Sequence, residues 1–140
     1  MYYHNVATAV GALMICDDKL LLVERAKNPG KGLLGVPGGF VDPFESAEQA
    51  LCREIDEEVG VKVDIHQLQY FGSWANEYLY AEINYHTQDF YYVVELASKP
   101  QLTLQQSEVS GVKWLSKHEL ELNQLAFCSA RDALAKWKSS

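Results

Sequence analysis

Apolar residues along this chain follow two different periods. Val6 to Ile15, VATAVGALMI, is almost wholly apolar without alternation, the pattern of a strand covered on both faces. Leu20–Arg25 repeats the pattern after the turn-forming pair Asp17-Asp18, so the two segments read as a hairpin. Ala26 to Leu33, AKNPGKGL, is punctuated by Pro and Gly and reads as a loop whose flexibility could serve substrate access, followed by a short strand into Pro37-Gly38-Gly39. From Ala47 the period changes. At about 100° per residue, Ala47, Ala50, Leu51, Ile55 and Val59 form one apolar arc that must face a core. Ser46 with Gln49 forms a capping box and Gly60 suits a left-handed stop, so the spacing predicts a helix over Ala47–Val59. Strand patterns follow at Lys62–Trp74, Ile83–Leu96 and Val112–Leu115, the last two separated by a polar loop, Ser98–Ser107. A final helix is expected from about Ser129 to Trp137. Strands bracketing one helix and closed by another predict an α/β fold, an α/β/α sandwich around a mixed sheet.

The predicted central helix carries its charges in an unfavourable place. Glu54, Glu57 and Glu58 are related by i, i+3 and i+4 spacing, which brings their Cβ atoms within about 5–6 Å of one another. Two of them occupy the last turn, where the macrodipole disfavours negative charge by roughly 0.3–1 kcal/mol each. A solvated acidic face should lie opposite the core and near the N-terminus. This cluster does neither, since Glu58 projects between Ala47 and Leu51 at the edge of the apolar arc. Clustered hard oxygen donors beside a partly dry surface suit Mg²⁺ or Mn²⁺, which would remove the repulsion.

Gly39, five residues, Glu45, seven residues, then Arg53-Glu54-Ile55-Asp56-Glu57-Glu58-Val59-Gly60-Val61 resembles the Nudix box at every specified position. Gly32-Leu33-Leu34-Gly35-Val36-Pro37-Gly38 is similar to the family's lead-in, with Leu34 where Trp is common and Phe44 where Gly is common. The resemblance implies the Nudix fold and a divalent-metal-dependent hydrolase that cleaves the diphosphate of a nucleoside diphosphate linked to another moiety: an ADP-sugar, a dinucleotide such as NADH, or a nucleoside triphosphate. It further implies metal ligation by Glu54, Glu57, Glu58 and the Gly38 carbonyl. The carboxylate that deprotonates the attacking water is then Glu57 or Glu108, the latter standing before Val112-Lys113-Trp114-Leu115. Arg53 falls to orienting Glu45 or Glu54, leaving Glu45 a supporting role. The contrasting reading is a nucleotide-sensing or protein-interaction module that keeps the fold without turnover.

Length and charge narrow this further. At 140 residues the chain is expected to form one domain, 1–140. Its net charge of −7 argues against a polyanion-binding surface, so the expected partner is a small-molecule nucleotide rather than nucleic acid. Cys16, Cys52 and Cys128 are odd in number and form no C-x-x-C pair, so they read as free thiols in a reducing, cytoplasmic setting. The run from Val6 to Cys16 is too short to span a bilayer, so no membrane partner is expected, and a homodimer stays open. His4, His66, His86 and His118 are scattered and carry no comparable signal.

Substrate contacts are the thinnest part of the reading. Arg25, ending the second strand, reads as a phosphate contact or as a surface arginine. Nine of sixteen aromatics fall within residues 70–92, where strands favour them for packing. Trp74 and Tyr78, in the less regular Gly72–Tyr78 segment, are the candidates to stack on a base, with stacking alone indifferent to which base it is. Only Ser73 and an out-of-register Trp74 match the motif of the family's NADH pyrophosphatases, and Asn76 stands where the ADP-ribose branch usually has Pro.

Overall fold

The structure, a computed structural model, describes residues 6–140; His4 lies outside them. Its strands are β1 (Ala7–Cys16), β2 (Lys19–Arg25), β3 (Leu34–Gly35), β4 (Gly38–Phe40), β5 (Gln69–Tyr80), β6 (Ile83–Glu95) and β7 (Val109–Ser116). Two helices, α1 (Ala47–Val59) and α2 (Cys128–Lys138), accompany short 3₁₀ turns at Ile65–Gln67 and Leu122–Gln124. The seven strands make one mixed sheet in the order β3-β2-β1-β6-β5, with β4 also on β1 and β7 on β2. β1 and β6 run parallel, and every other named pair is antiparallel.

The two layers explain why β1 and β2 do not alternate. Val10, Ala12, Met14, Leu21 and Val23 pack with Leu51, Ile55 and Val59 of α1 on one face. Leu13, Leu20 and Leu22 pack with Ala133, Leu134 and Trp137 of α2 on the other. The buried apolar side chains of these strands find apolar partners on both faces. This is the α/β/α sandwich expected.

Local chemistry fixes the ends of α1 where the sequence placed them. Ser46 Oγ accepts the Gln49 N–H at 3.1 Å, and the Gln49 side chain accepts the Ser46 N–H at 2.8 Å. Gly60 closes the helix at φ 72°. The β1–β2 turn is equally direct, with Asp17 and Asp18 both left-handed at φ 51° and 60°.

One expected strand is displaced. Lys62–Trp74 was to be extended, but Asp64 and Gln67 form a second capping box around the turn at Ile65–Gln67, so β5 begins only at Gln69. The Gly72–Tyr78 segment is consequently regular, paired residue by residue with β6 after a bulge between Tyr70 and Gly72. β7 is longer than Val112–Leu115 because its partner β2 offers backbone groups as far as Arg25.

The capping box gives a stability test. Ser46→Ala removes the hydroxyl acceptor and should destabilise the protein by about 1 kcal/mol in denaturant unfolding, with an unchanged m-value.

Candidate active site

A cleft of about 520 Å³ opens where the C-terminal half of α1 faces β4. Glycine makes that approach feasible. A Cβ on Gly39 would sit 2.6 Å from the Glu54 carboxylate, and one on Gly38 would collide with the Val10 carbonyl of β1. Glu54, Glu57, Glu58, Gly38 and Glu108 all line this cleft, brought together from three parts of the chain.

Arg53 holds the acidic side in order. Its Nη2 and Nε reach the two oxygens of Glu45 at 2.6 and 3.2 Å, a bidentate fork. Nη1 donates to Glu54 at 2.9 Å and to Glu57 at 3.3 Å, while Nη2 also reaches the Phe40 carbonyl at 3.1 Å. The hydrogen bond from Arg53 holds the Glu45 carboxyl below its ordinary range, and these carboxylates in turn raise the Arg53 pKa. The sequence left Arg53 a choice between Glu45 and Glu54; it takes both.

Glu58 is in a different state. Burial, and then the neighbouring Glu54 charge, push its pKa up to about 8, although Gly38 N–H donates to it at 3.4 Å. Burial likewise raises Glu54, with Arg53 opposing the shift. Glu58 has no ion-pair partner among the described residues. Among those residues, no three His, Cys, Asp or Glu side chains converge as they would around an ion. Arg53 draws Glu54 and Glu57 towards itself, and Glu57 stays half-exposed. The donor set nonetheless fits a hard cation: carboxylate oxygens in excess of positive charge, two of them destabilised by burial.

The opposite wall contains the other expected residues, with one exception. Arg25 Nε donates to the Pro29 carbonyl at 2.7 Å, and its guanidinium lies 4.7 Å from the centre of the Phe127 ring. Burial lowers its pKa, partly offset by Glu58 and then Glu108, so it is a desolvated cation in the cleft and not a surface arginine. Glu108 is ion-paired with Lys27 at 2.7 Å, which straps the 26–33 loop to the start of β7. Tyr78 stacks on Tyr85 with ring centres 5.4 Å apart and meets Phe127 at 5.3 Å. Trp74 is not brought to the cleft. It packs edge-on against Tyr91 and beside Phe71 in the α2 layer. His66, His86 and His118 lie outside the cleft as well.

Sequence reasoning missed Phe127 and the polar trio Asn76, Thr87 and Asp89, which line the inner end. The available signal was periodicity: Tyr85, Thr87, Asp89 and Tyr91 share one face of β6, and the two polar residues interrupt an otherwise aromatic row.

A family description, NUDIX domain, matches residues 6–137. The chain belongs to the Nudix family. Among curated relatives, an ADP-ribose pyrophosphatase from Methanocaldococcus jannaschii is 46% identical over 59 residues, 42% of this chain and 35% of the relative. An NAD-capped RNA hydrolase NudC from Pseudomonas putida is 30% identical over 84% of this chain and 39% of its own length. The chain therefore spans well under half of either curated relative. A MutT NUDIX hydrolase structure from Burkholderia pseudomallei superposes with a TM-score of 0.80 at 26% identity, covering 94% of this chain and 98% of that one. The Nudix fold expected from the box is thus present along nearly the whole chain. Among the described residues no helix is long and apolar enough to cross a membrane.

The raised carboxyls give this Nudix domain a characteristic pH response. Between about pH 4.5 and 8 the folded protein binds more protons at Glu58 than the unfolded chain does. Without divalent cations, this contribution to stability is greatest at the acid end of that window and is lost as pH rises through it. Melting temperatures measured in chelator should fall from pH 5 to 8.5, and Glu58→Gln should flatten the slope. A wild-type slope of opposite sign would contradict the burial of Glu58.

Proposed function

We propose that this Nudix domain is a pyrophosphohydrolase dependent on Mg²⁺ or Mn²⁺, cleaving the diphosphate of a nucleoside diphosphate linked to another moiety. The observation that carries the reading is the buried, unpaired Glu58 beside Glu54, facing a glycine strand in an open cleft. Such a group costs stability in the isolated protein, and a cation together with an anionic substrate would remove the cost. The curated relatives support the substrate class, since ADP-ribose and NAD both contain a diphosphate.

Glu54, Glu57, Glu58 and the Gly38 carbonyl would hold the cation. When bound, it supplies charge neutralisation on the diphosphate and an acidified water for in-line attack on phosphorus. Arg53 keeps Glu54 and Glu57 oriented and supports the loop through Glu45. The proton leaving water goes to Glu57 or Glu108, each held at the cleft by a cation of the protein. Arg25, fixed by Pro29 and Phe127, faces a phosphate oxygen, and Tyr78 with Phe127 offers the surface for a base. Trp74 packs against Tyr91 and Phe71 in the core instead of stacking on the ligand. The chain's net charge of −7 favours a small nucleotide over an RNA backbone. Action in the cytoplasm, as monomer or homodimer, is compatible with the free cysteines.

Two experiments test this. Mg²⁺ or Mn²⁺ should raise the melting temperature and switch on product release from a panel of nucleoside diphosphate derivatives. Glu57→Gln should cut kcat by orders of magnitude with little change in metal-free stability, since the half-exposed pair with Arg53 that it weakens is offset by removal of a charge that repels Glu54 and Glu58. Comparison with Glu108→Gln assigns the proton acceptor, and full turnover in excess chelator would overturn the reading. Tyr78→Ala should raise KM more than it lowers kcat, because stacking is worth about 1–3 kcal/mol in ground and transition states alike. An unchanged KM would return Tyr78 to packing against Tyr85.

A further inference from the structure

The polar trio at the inner end of the cleft has no part in the hydrolytic chemistry above. Asn76, Thr87 and Asp89 occupy the sheet face that carries Trp74 and Tyr91 into the core, and are only 5%, 5% and 7% exposed. Asp89 has no ion-pair partner among the described residues. A buried carboxylate without a cation is expensive, and neutral groups would serve as well to dock a helix on a sheet.

The hydrogen bonds around Asp89 fix what it can recognise. Thr87 Oγ1 donates to Oδ1 at 2.6 Å, and Ser129 Oγ donates to Oδ2 at 2.6 Å. With the Ser129 proton so committed, the Tyr91 hydroxyl donates to Ser129 Oγ across 2.8 Å. Both oxygens of Asp89 are thereby oriented, and each retains acceptor capacity. Asn76 Oδ1 accepts the Ser129 N–H at 3.4 Å and the Cys128 thiol at 3.1 Å, which leaves its Nδ2 hydrogens for another partner. Ser129 bonds to both residues, so the bidentate acceptor and the amide donor stand side by side. Tyr78 and Phe127 flank the same part of the cleft.

We propose that Asp89 and Asn76 select guanine as the base of the nucleotide. Guanine presents two adjacent N–H donors, N1–H and the 2-amino group, beside the O6 acceptor. A carboxylate accepts the pair and an amide donates to O6. Adenine instead turns its ring N1, an acceptor, towards a carboxylate, and cytosine and uracil each present one donor type on that edge. The assignment rests on the nucleotide-hydrolase reading for the presence of a nucleotide in this cleft. It replaces the expectation of base-indifferent stacking with hydrogen-bonded selection.

Calorimetric titration of the wild-type protein with GMP, IMP and AMP tests it, since IMP differs from GMP only by the missing 2-amino group. GMP should bind tightest, roughly 10–100-fold above IMP and AMP, the discrimination a good bidentate pair supplies. Asp89→Asn should bring the GMP-to-AMP ratio close to one. A carboxylate that only docks α2 would weaken every nucleotide equally and leave the ratio unchanged, which overturns the assignment. Should the variant not fold, the wild-type series decides alone: AMP bound as tightly as GMP overturns it too. Hydrolysis of GDP-linked and ADP-linked sugars with Mg²⁺ is measured separately. Guanine-selective binding without turnover would refute the hydrolase reading and uphold base selection; turnover without base preference would do the reverse.

Discussion

The clamp of Arg53 on the acids around it is the interaction on which the site depends. One guanidinium bonds to Glu45 and the Phe40 carbonyl before α1 and to Glu54 and Glu57 within it. It joins the loop that follows β4 to the helix that carries Glu54, Glu57 and Glu58. Without this cation the acids would repel both one another and the C-terminal end of the helix dipole. Lysine could replace the charge but not the fork, because an ammonium cannot meet both oxygens of Glu45 in a plane while also serving Glu54.

The clamp leaves one group out. Glu58 points to the core side of α1, beyond the reach of Arg53, and its burial opposes ionisation. The helix is therefore well capped at its start and electrostatically poor at its end. These two properties belong together: the Ser46 box and the apolar contacts of Leu51 and Ile55 hold α1 in place while its last turn keeps an unfavourable charge pattern. Local rules of sequence design fail at the point where the chemistry is expected, which is a usual signature of a functional site.

What could be read from the sequence divides along the range of the forces involved. The bounds of α1, the Asp17-Asp18 turn and the doubly buried β1 and β2 follow from local preferences or apolar runs, and the structure repeats them. The start of β5 departs from the apolar pattern because Val63, Ile65 and Leu68 have strand character, while Asp64 and Gln67 close a turn among them. Trp74 looked available for a ligand because its segment seemed irregular; pairing with β6 turns the ring into the α2 layer instead. The Asp89 network was beyond reach, since it depends on Ser129, 40 residues away, arriving at one end of a helix.

The pairing of β2 with β7 contains an irregularity with a wider meaning. Glu24 faces Gly111, but Arg25 faces Val109, so Ser110 is the surplus residue of a bulge. The residue next to Val109 is Glu108, and its carbonyl receives the Ala26 N–H at 2.9 Å. The placement of this acid is thus governed by how many residues separate it from the regular part of β7 as well as by its ion pair with Lys27. A length change of one residue there would carry the acid to a new place in the cleft with the sheet otherwise intact. Insertions and deletions, more than substitutions, are the changes by which this edge of the fold can move an acid along the cleft.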